Sequence, residues 1–171
     1  MEYPAAVYLI AAVLLGAAGA AKTVTPAPAS AALARLQLYH RPWAVRLLGL
    51  VELVVAVSAF IVGGVIPATA LAALYAGFAV VAAAMVRTES EMPCGCFGPV
   101  EMPATWRHVA VNILALAAGL VAAAWPVTAV DQLFDSDQWL FAPFAVVVAG
   151  GAYGVFAWLS HPPKPPRAAR S

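Results

Sequence analysis

Charge is what this chain has least of. Nine Lys and Arg and eight Asp and Glu make up 10% of its 171 residues, against about 25% in soluble domains. So few charges cannot coat a water-facing surface. With 64% hydrophobic residues and a mean hydropathy of +0.88, lipid must be the main solvent. The chain also lacks a basic stripe, a Gly-rich phosphate loop and any internal repeat. The net charge of +1 gives no argument for nucleic acid. There are only two cysteines. A closed zinc site normally takes four ligands, often two Cys pairs, and one pair falls short of that.

What is present is a set of long apolar runs. A helix rises 1.5 Å per residue, so crossing about 30 Å of hydrocarbon takes about 20 apolar residues. Five windows qualify: Pro4–Ala21, Trp43–Val62, Val65–Val86, Trp106–Trp125 and Trp139–Ser160. Trp43, Trp106, Trp125, Trp139 and Trp158 fall near their ends, where amphipathic rings belong in a bilayer. The expected fold is all-α: a polytopic membrane bundle with a four-helix core and a C-terminal fifth helix, in one domain over residues 1–160. The Pro-rich, basic tail 161–171 reads as disordered, its charges near lipid headgroups. The first run reads as a retained span, because only Met1 and Glu2 precede it where a secretory signal carries a basic stretch. In that run Ala12, Gly16 and Ala20 recur every four residues, a spacing that lets helices approach closely in lipid or is plain Ala-rich filler. Between the first two spans, Ala31 to Tyr39 has helical spacing at Leu33, Leu36 and Leu38 and reads as an interfacial helix or a loop.

The basic residues set the expected orientation. With five alternating spans, Lys22, Arg35, Arg41, Arg46, Arg87, Arg107, Lys164, Arg167 and Arg170 all share one side. Glu2, the turn at Gly63-Gly64, Asp131, Asp135 and Asp137 take the other. The positive-inside rule then places the N-terminus outside and the C-terminus in the cytoplasm of a plasma-membrane protein.

Both cysteines sit in the run Pro93-Cys94-Gly95-Cys96-Phe97-Gly98-Pro99, in the polar break between the third and fourth spans. Two thiols separated by one glycine lie roughly 5.5–7 Å apart at Cα, which overlaps the disulfide range. Gly95 permits the backbone angles of a short ring, and such a ring is strained and prone to exchange. Beneath this loop, Glu52 falls near mid-bilayer, where an ionisable group costs a few kcal/mol unless paired and reads as functional by default. A buried, hydrogen-bonded structural Glu is the alternative. Lys22, Arg46, Arg107, His108 and Asn112 enter from the same side and could gather with Glu52 in a polar pocket. Basic neighbours favour the thiolate, and Glu52 or His108 would carry the proton. Two other readings stay open. Met92, Cys94, Cys96 and Met102, with His108 nearby, offer soft sulfur ligands suited to Cu(I). Alternatively the cysteines are incidental in a structural membrane subunit.

These residues resemble the methylamine-utilisation MauE family, within the MauE/DoxX group of redox-associated membrane proteins. The likeness lies in Cys94-Gly95-Cys96-Phe97-Gly98 between two helices and in Lys22 ending the first helix. It extends to Leu50-Val51-Glu52-Leu53 in the second and to Trp106 and Asn112 opening the fourth, over most of the first 125 residues. The resemblance implies a thiol-redox role for Cys94 and Cys96 in disulfide formation or maturation of exported proteins. It does not bring methylamine as a substrate. An oxidant of exported thiols would present its cysteines outward, whereas the basic residues place this loop inside. The pair then exchanges with a cytoplasmic thioredoxin-like partner, or is reached from both faces through the polar pocket, or the topology is inverted. Coupling to a quinone is compatible with such a role, but no residue pattern signals it.

Overall fold

The computed structural model describes residues 3–88, 103–127 and 141–160. They form six helices: α1 (Tyr3–Val24), α2 (Ala27–Arg35), α3 (Pro42–Ile61), α4 (Val65–Arg87), α5 (Trp106–Ala124) and α6 (Phe141–Ser160). All but α2 are long and apolar enough to cross a membrane. The cysteine run and residues 161–171 lie outside the described residues.

Helices α1, α3, α4 and α5 close a ring of contacts, with α1 against α3 and α4 against α5 as the two intimate pairs. Helix α6 lies outside the ring against α1. The core holds Tyr8, Leu9, Leu15, Leu71 and Tyr75, among small residues such as Ala12, Ala56, Ala59 and Ala68. In lipid there is no hydrophobic drive to pull helices together, so van der Waals contact between closely spaced backbones must do it. Gly19 and Gly49 are the point of closest approach. A Cβ on Gly49 would stand 2.7 Å from the Gly19 carbonyl oxygen and 2.8 Å from Thr23 Oγ1. Ala12 and Gly16 do face this seam, a Cβ on Gly16 meeting Ala56 Cβ at 3.3 Å. Ala20 instead turns to the exposed side, and the helix pitch brings Gly19 into its place.

The turn from α3 to α4 is three residues long, and two of them adopt the left-handed conformation that favours glycine: Gly63 (φ 62°) and Gly64 (φ 81°). The Gly64 N–H donates to the Val127 carbonyl at 2.8 Å, which ties this turn to the end of α5. At the opposite end of the bundle, α5 opens with a capping box. Thr105 caps the His108 N–H, and the Thr105 N–H donates to His108 Nδ1 at 3.1 Å.

The short helix lies four residues earlier than the leucine spacing predicts. It starts after Pro26, whose fixed φ suits a helix start, and stops before Gln37, which has φ 55°. Its buried residues are Ala29 and Ala32, and Leu36, just past its end, packs partly buried against Ala32; Leu38 and Tyr39 are exposed. Ala32 packs with Met85 of α4, and Ala104, just ahead of α5, joins them. The chain therefore leaves α4 at Thr88 and re-enters at Pro103 beside the same small cluster.

Candidate functional site

Among the described residues, the buried charges lie between α1 and α3. Lys22 Nζ lies 2.9 Å from Glu52 Oε2, with the two side chains 5% and 0% exposed. Sequence dictates the depth: Glu52 stands ten residues into α3, about 15 Å from its start. The packing dictates the partner. The glycine contact one turn away presses the two backbones together, so a lysine near the end of α1 reaches a carboxylate near mid-span. Lys22 Nζ also sits 5.1 Å from the centre of the Phe78 ring on α4, a cation–π contact. Desolvating two ions costs several kcal/mol each, and their attraction offsets this only if the remaining valences are met. One is not: Glu52 Oε1 has no hydrogen-bond partner among the described residues.

A second polar group lies between α1, α4, α5 and α6. His108 and Asn112, one turn apart on α5, line a cavity of about 30 Å³ with Leu14, Tyr75, Val111 and Leu159. That is room for a water, and the lining supplies polar groups to hold one. Tyr75 donates its hydroxyl to the Ala11 carbonyl at 2.7 Å, and its ring meets Phe78 edge-on at 5.9 Å. Phe78 thus touches both the ion pair and the wall of this cavity.

Of the residues the sequence singles out, the fold brings Lys22 to Glu52 and His108 to Asn112. Arg46 is exposed, because six residues along a helix is a turn of about 600°, which points it away from Glu52. Arg107 is half-buried and stacks over Trp158 of α6, 5.0 Å from the ring centre. Cys94, Gly95, Cys96, Phe97 and Gly98, and the sulfur ligands Met92 and Met102, lie outside the described residues. Among the described residues no three His, Cys, Asp or Glu gather as a metal site would require. Four contributors went unread in the sequence: Gly19, Gly49, Tyr75 and Phe78. Tyr75 carried a signal, since the hydroxyl of a buried tyrosine usually finds a partner, although that of Tyr8 has none among the described residues.

Five membrane-length helices, four of them closed around a buried ion pair, define a polytopic helical membrane protein. Its chain belongs to the family of methylamine utilisation protein MauE, whose family model matches residues 2–126. That match takes in α1 to α5 and stops short of α6. No curated protein and no solved structure matches the chain.

Proposed function

We propose that this is a membrane thiol–disulfide redox protein. In this reading Cys94 and Cys96 exchange a disulfide with a thioredoxin-like partner, and the Lys22–Glu52 pair handles a proton beneath them. The observation that carries the reading is where that pair sits. Phe78, against Lys22, and Met85, in the cluster with Ala32 and Ala104, are seven residues and about 10 Å apart on one face of α4. The pair therefore lies one short step below the place where the cysteine segment departs and returns. Cys94 is six residues from Thr88 and Cys96 seven from Pro103, so chain lengths of about 20 Å allow either thiol to reach it.

The exchange balances without a further reactant. One thiolate attacks a sulfur of the partner's disulfide; that bond breaks and a mixed disulfide forms. The second thiolate then attacks the mixed disulfide, closing the Cys94–Cys96 bond and releasing the partner as a dithiol. Two electrons pass to the partner, and the two protons lost by the pair end on its thiols. Glu52 Oε1 is the open acceptor through which a proton passes, while Lys22 holds the other oxygen. His108 suits this task less well, because its Nδ1 is engaged in capping α5. Asn112 and the cavity water would extend the polar path, and Arg107 would lend positive charge where α5 begins.

The basic residues support an orientation with the N-terminus outside and the cysteine segment and C-terminus cytoplasmic. The six described Lys and Arg residues gather toward one end of the bundle.

The test is the redox state of Cys94 and Cys96 in intact cells. A membrane-impermeant thiol label is applied before and after permeabilisation, with and without reductant. The expected result is a reducible bond between the two, labelled only after permeabilisation, with exchange abolished in both Cys94→Ser and Cys96→Ser. Thiols that are never oxidised would sink the redox reading. Labelling from outside would overturn the orientation alone. Glu52→Gln is expected to slow exchange while leaving insertion intact, and unchanged exchange would remove Glu52 from the proton path.

A further inference from the structure

Helix α3 has two faces of opposite character. Val45, Gly49, Glu52, Ala56 and Ala59 are buried against the bundle. Leu47, Leu50, Val54, Val57 and Ile61 are exposed at helical spacing on the other side. This outer track runs from Leu47 to Ile61, a rise of about 21 Å. At its head stand Trp43, 61% exposed, and Tyr39, 64% exposed, their rings packed edge-on at 6.0 Å. Arg41 and Arg46 are exposed beside them. Arg46 lies one turn beyond Trp43, on the same face as the track.

Charge there is of one sign. No Asp or Glu occurs between Lys22 and Glu52, and the one carboxylate among the described residues, Glu52, is buried and paired with Lys22. Glu89, Glu91 and Glu101 lie outside the described residues. Two guanidiniums with no carboxylate beside them among the described residues, an aromatic pair at the level of the helix start, and an apolar track leading away form a ligand outline. It has an anionic head, an interfacial layer and a long hydrocarbon tail. A free phosphate would use the head of this surface and leave the track unexplained.

We infer that the α3 outer face, headed by Tyr39, Arg41, Trp43 and Arg46, is a binding site for an anionic phospholipid. The headgroup phosphate pairs with Arg41 and Arg46, Trp43 and Tyr39 lie at the glycerol level, and an acyl chain follows Leu47 to Ile61. A zwitterionic lipid brings its own cation to the arginines and so gains less.

Native mass spectrometry of the full chain tests this, with phosphatidylglycerol and phosphatidylcholine of identical acyl chains as probes. Each Lys or Arg near an anionic surface is worth about fivefold in affinity, so Arg41→Gln/Arg46→Gln should weaken retention of phosphatidylglycerol by roughly 25-fold. Phosphatidylcholine should change little. The double Lys variant, Arg41→Lys/Arg46→Lys, keeps the charge and should keep most of the preference. Equal retention of both lipids by the unaltered chain would make this an ordinary lipid-facing surface and overturn the proposal. A preference that survives Arg41→Gln/Arg46→Gln would overturn it as well.

Discussion

Two of the seams that helix α1 makes, with α3 and with α6, are built on different terms. Against α3 it presents Gly16, Gly19 and Lys22 to Ala56, Gly49 and Glu52, with backbone close enough to backbone that no Cβ fits at Gly19 or Gly49. Against α6 the contact is looser. Two apolar grooves of about 380 and 260 Å³ run along the seam, sharing Val13 and Ala149. At Gly151, on the seam, a Cβ would meet only side-chain atoms of Ile10, Cδ1 at 2.6 Å, while Gly150 and Gly154, on the outer side of α6, have open space where a Cβ would be. The first seam holds the buried ion pair and falls within the family match; the second joins on a helix that lies beyond it. The contrast teaches that the ion pair and the glycine contact are one construction. The tight seam keeps water from the lysine and the glutamate, and their pairing offsets the cost of burying both charges.

The sharpest way to break the comparison is to remove one ion. Lys22→Met leaves Glu52 buried and uncompensated, which costs about 3–5 kcal/mol. In detergent this should appear as a large fall in the thermal midpoint, or as failure to accumulate. Lys22→Met/Glu52→Leu removes both charges and should recover most of that stability, since well-packed apolar replacements of a buried pair are often neutral. A double variant as unstable as the single one would mean that the loss comes from packing around Lys22, and the account of the seam would have to change.

A smaller effect is expected from the backbone contact. Gly49→Ala places a methyl against the Gly19 carbonyl and Thr23 Oγ1. Neither the carbonyl nor the helix carrying it can shift without separating α1 from α3, so overpacking of about 1–3 kcal/mol is expected. Because the Lys22–Glu52 distance depends on that approach, the proposed thiol exchange should fall along with the melting midpoint. A variant with unaltered stability would show that the two helices have slack.

Sequence carried the spans and the depths but not the rotations, and the reason is physical. Length and hydropathy fix which segments cross and how far along each a residue sits. The start of α4 and the start of α5 fall where reading predicts, at Val65 and Trp106. Rotation depends on which neighbour a face meets. Glu52 and Lys22 were legible as polar groups at adjoining depth; that they meet, while Arg46 turns outward, follows from Gly19 and Gly49, whose role appears only once two helices are placed side by side. The leucines of the α2 region misled for a similar cause. Leucine spacing marks a helix in water, whereas beneath a membrane bundle the face that fits is the small one, Ala29 and Ala32.

The smallest expected effect carries the opposite sign and closes the comparison. Glycine in a helix interior is less favourable than alanine by about 0.8–1 kcal/mol where nothing else decides. At Gly150 and Gly154 nothing else does, since no atom lies within 4 Å of the added carbon. Gly150→Ala and Gly154→Ala should therefore leave the thermal midpoint unchanged or raise it slightly, with no effect on the Lys22–Glu52 region. The same change of glycine to alanine then destabilises one seam of α1 and is tolerated beside the other. Should Gly150→Ala or Gly154→Ala lower stability by as much as Gly49→Ala, the outer face of α6 must be occupied in the membrane, as an interface whose other half is a further helix.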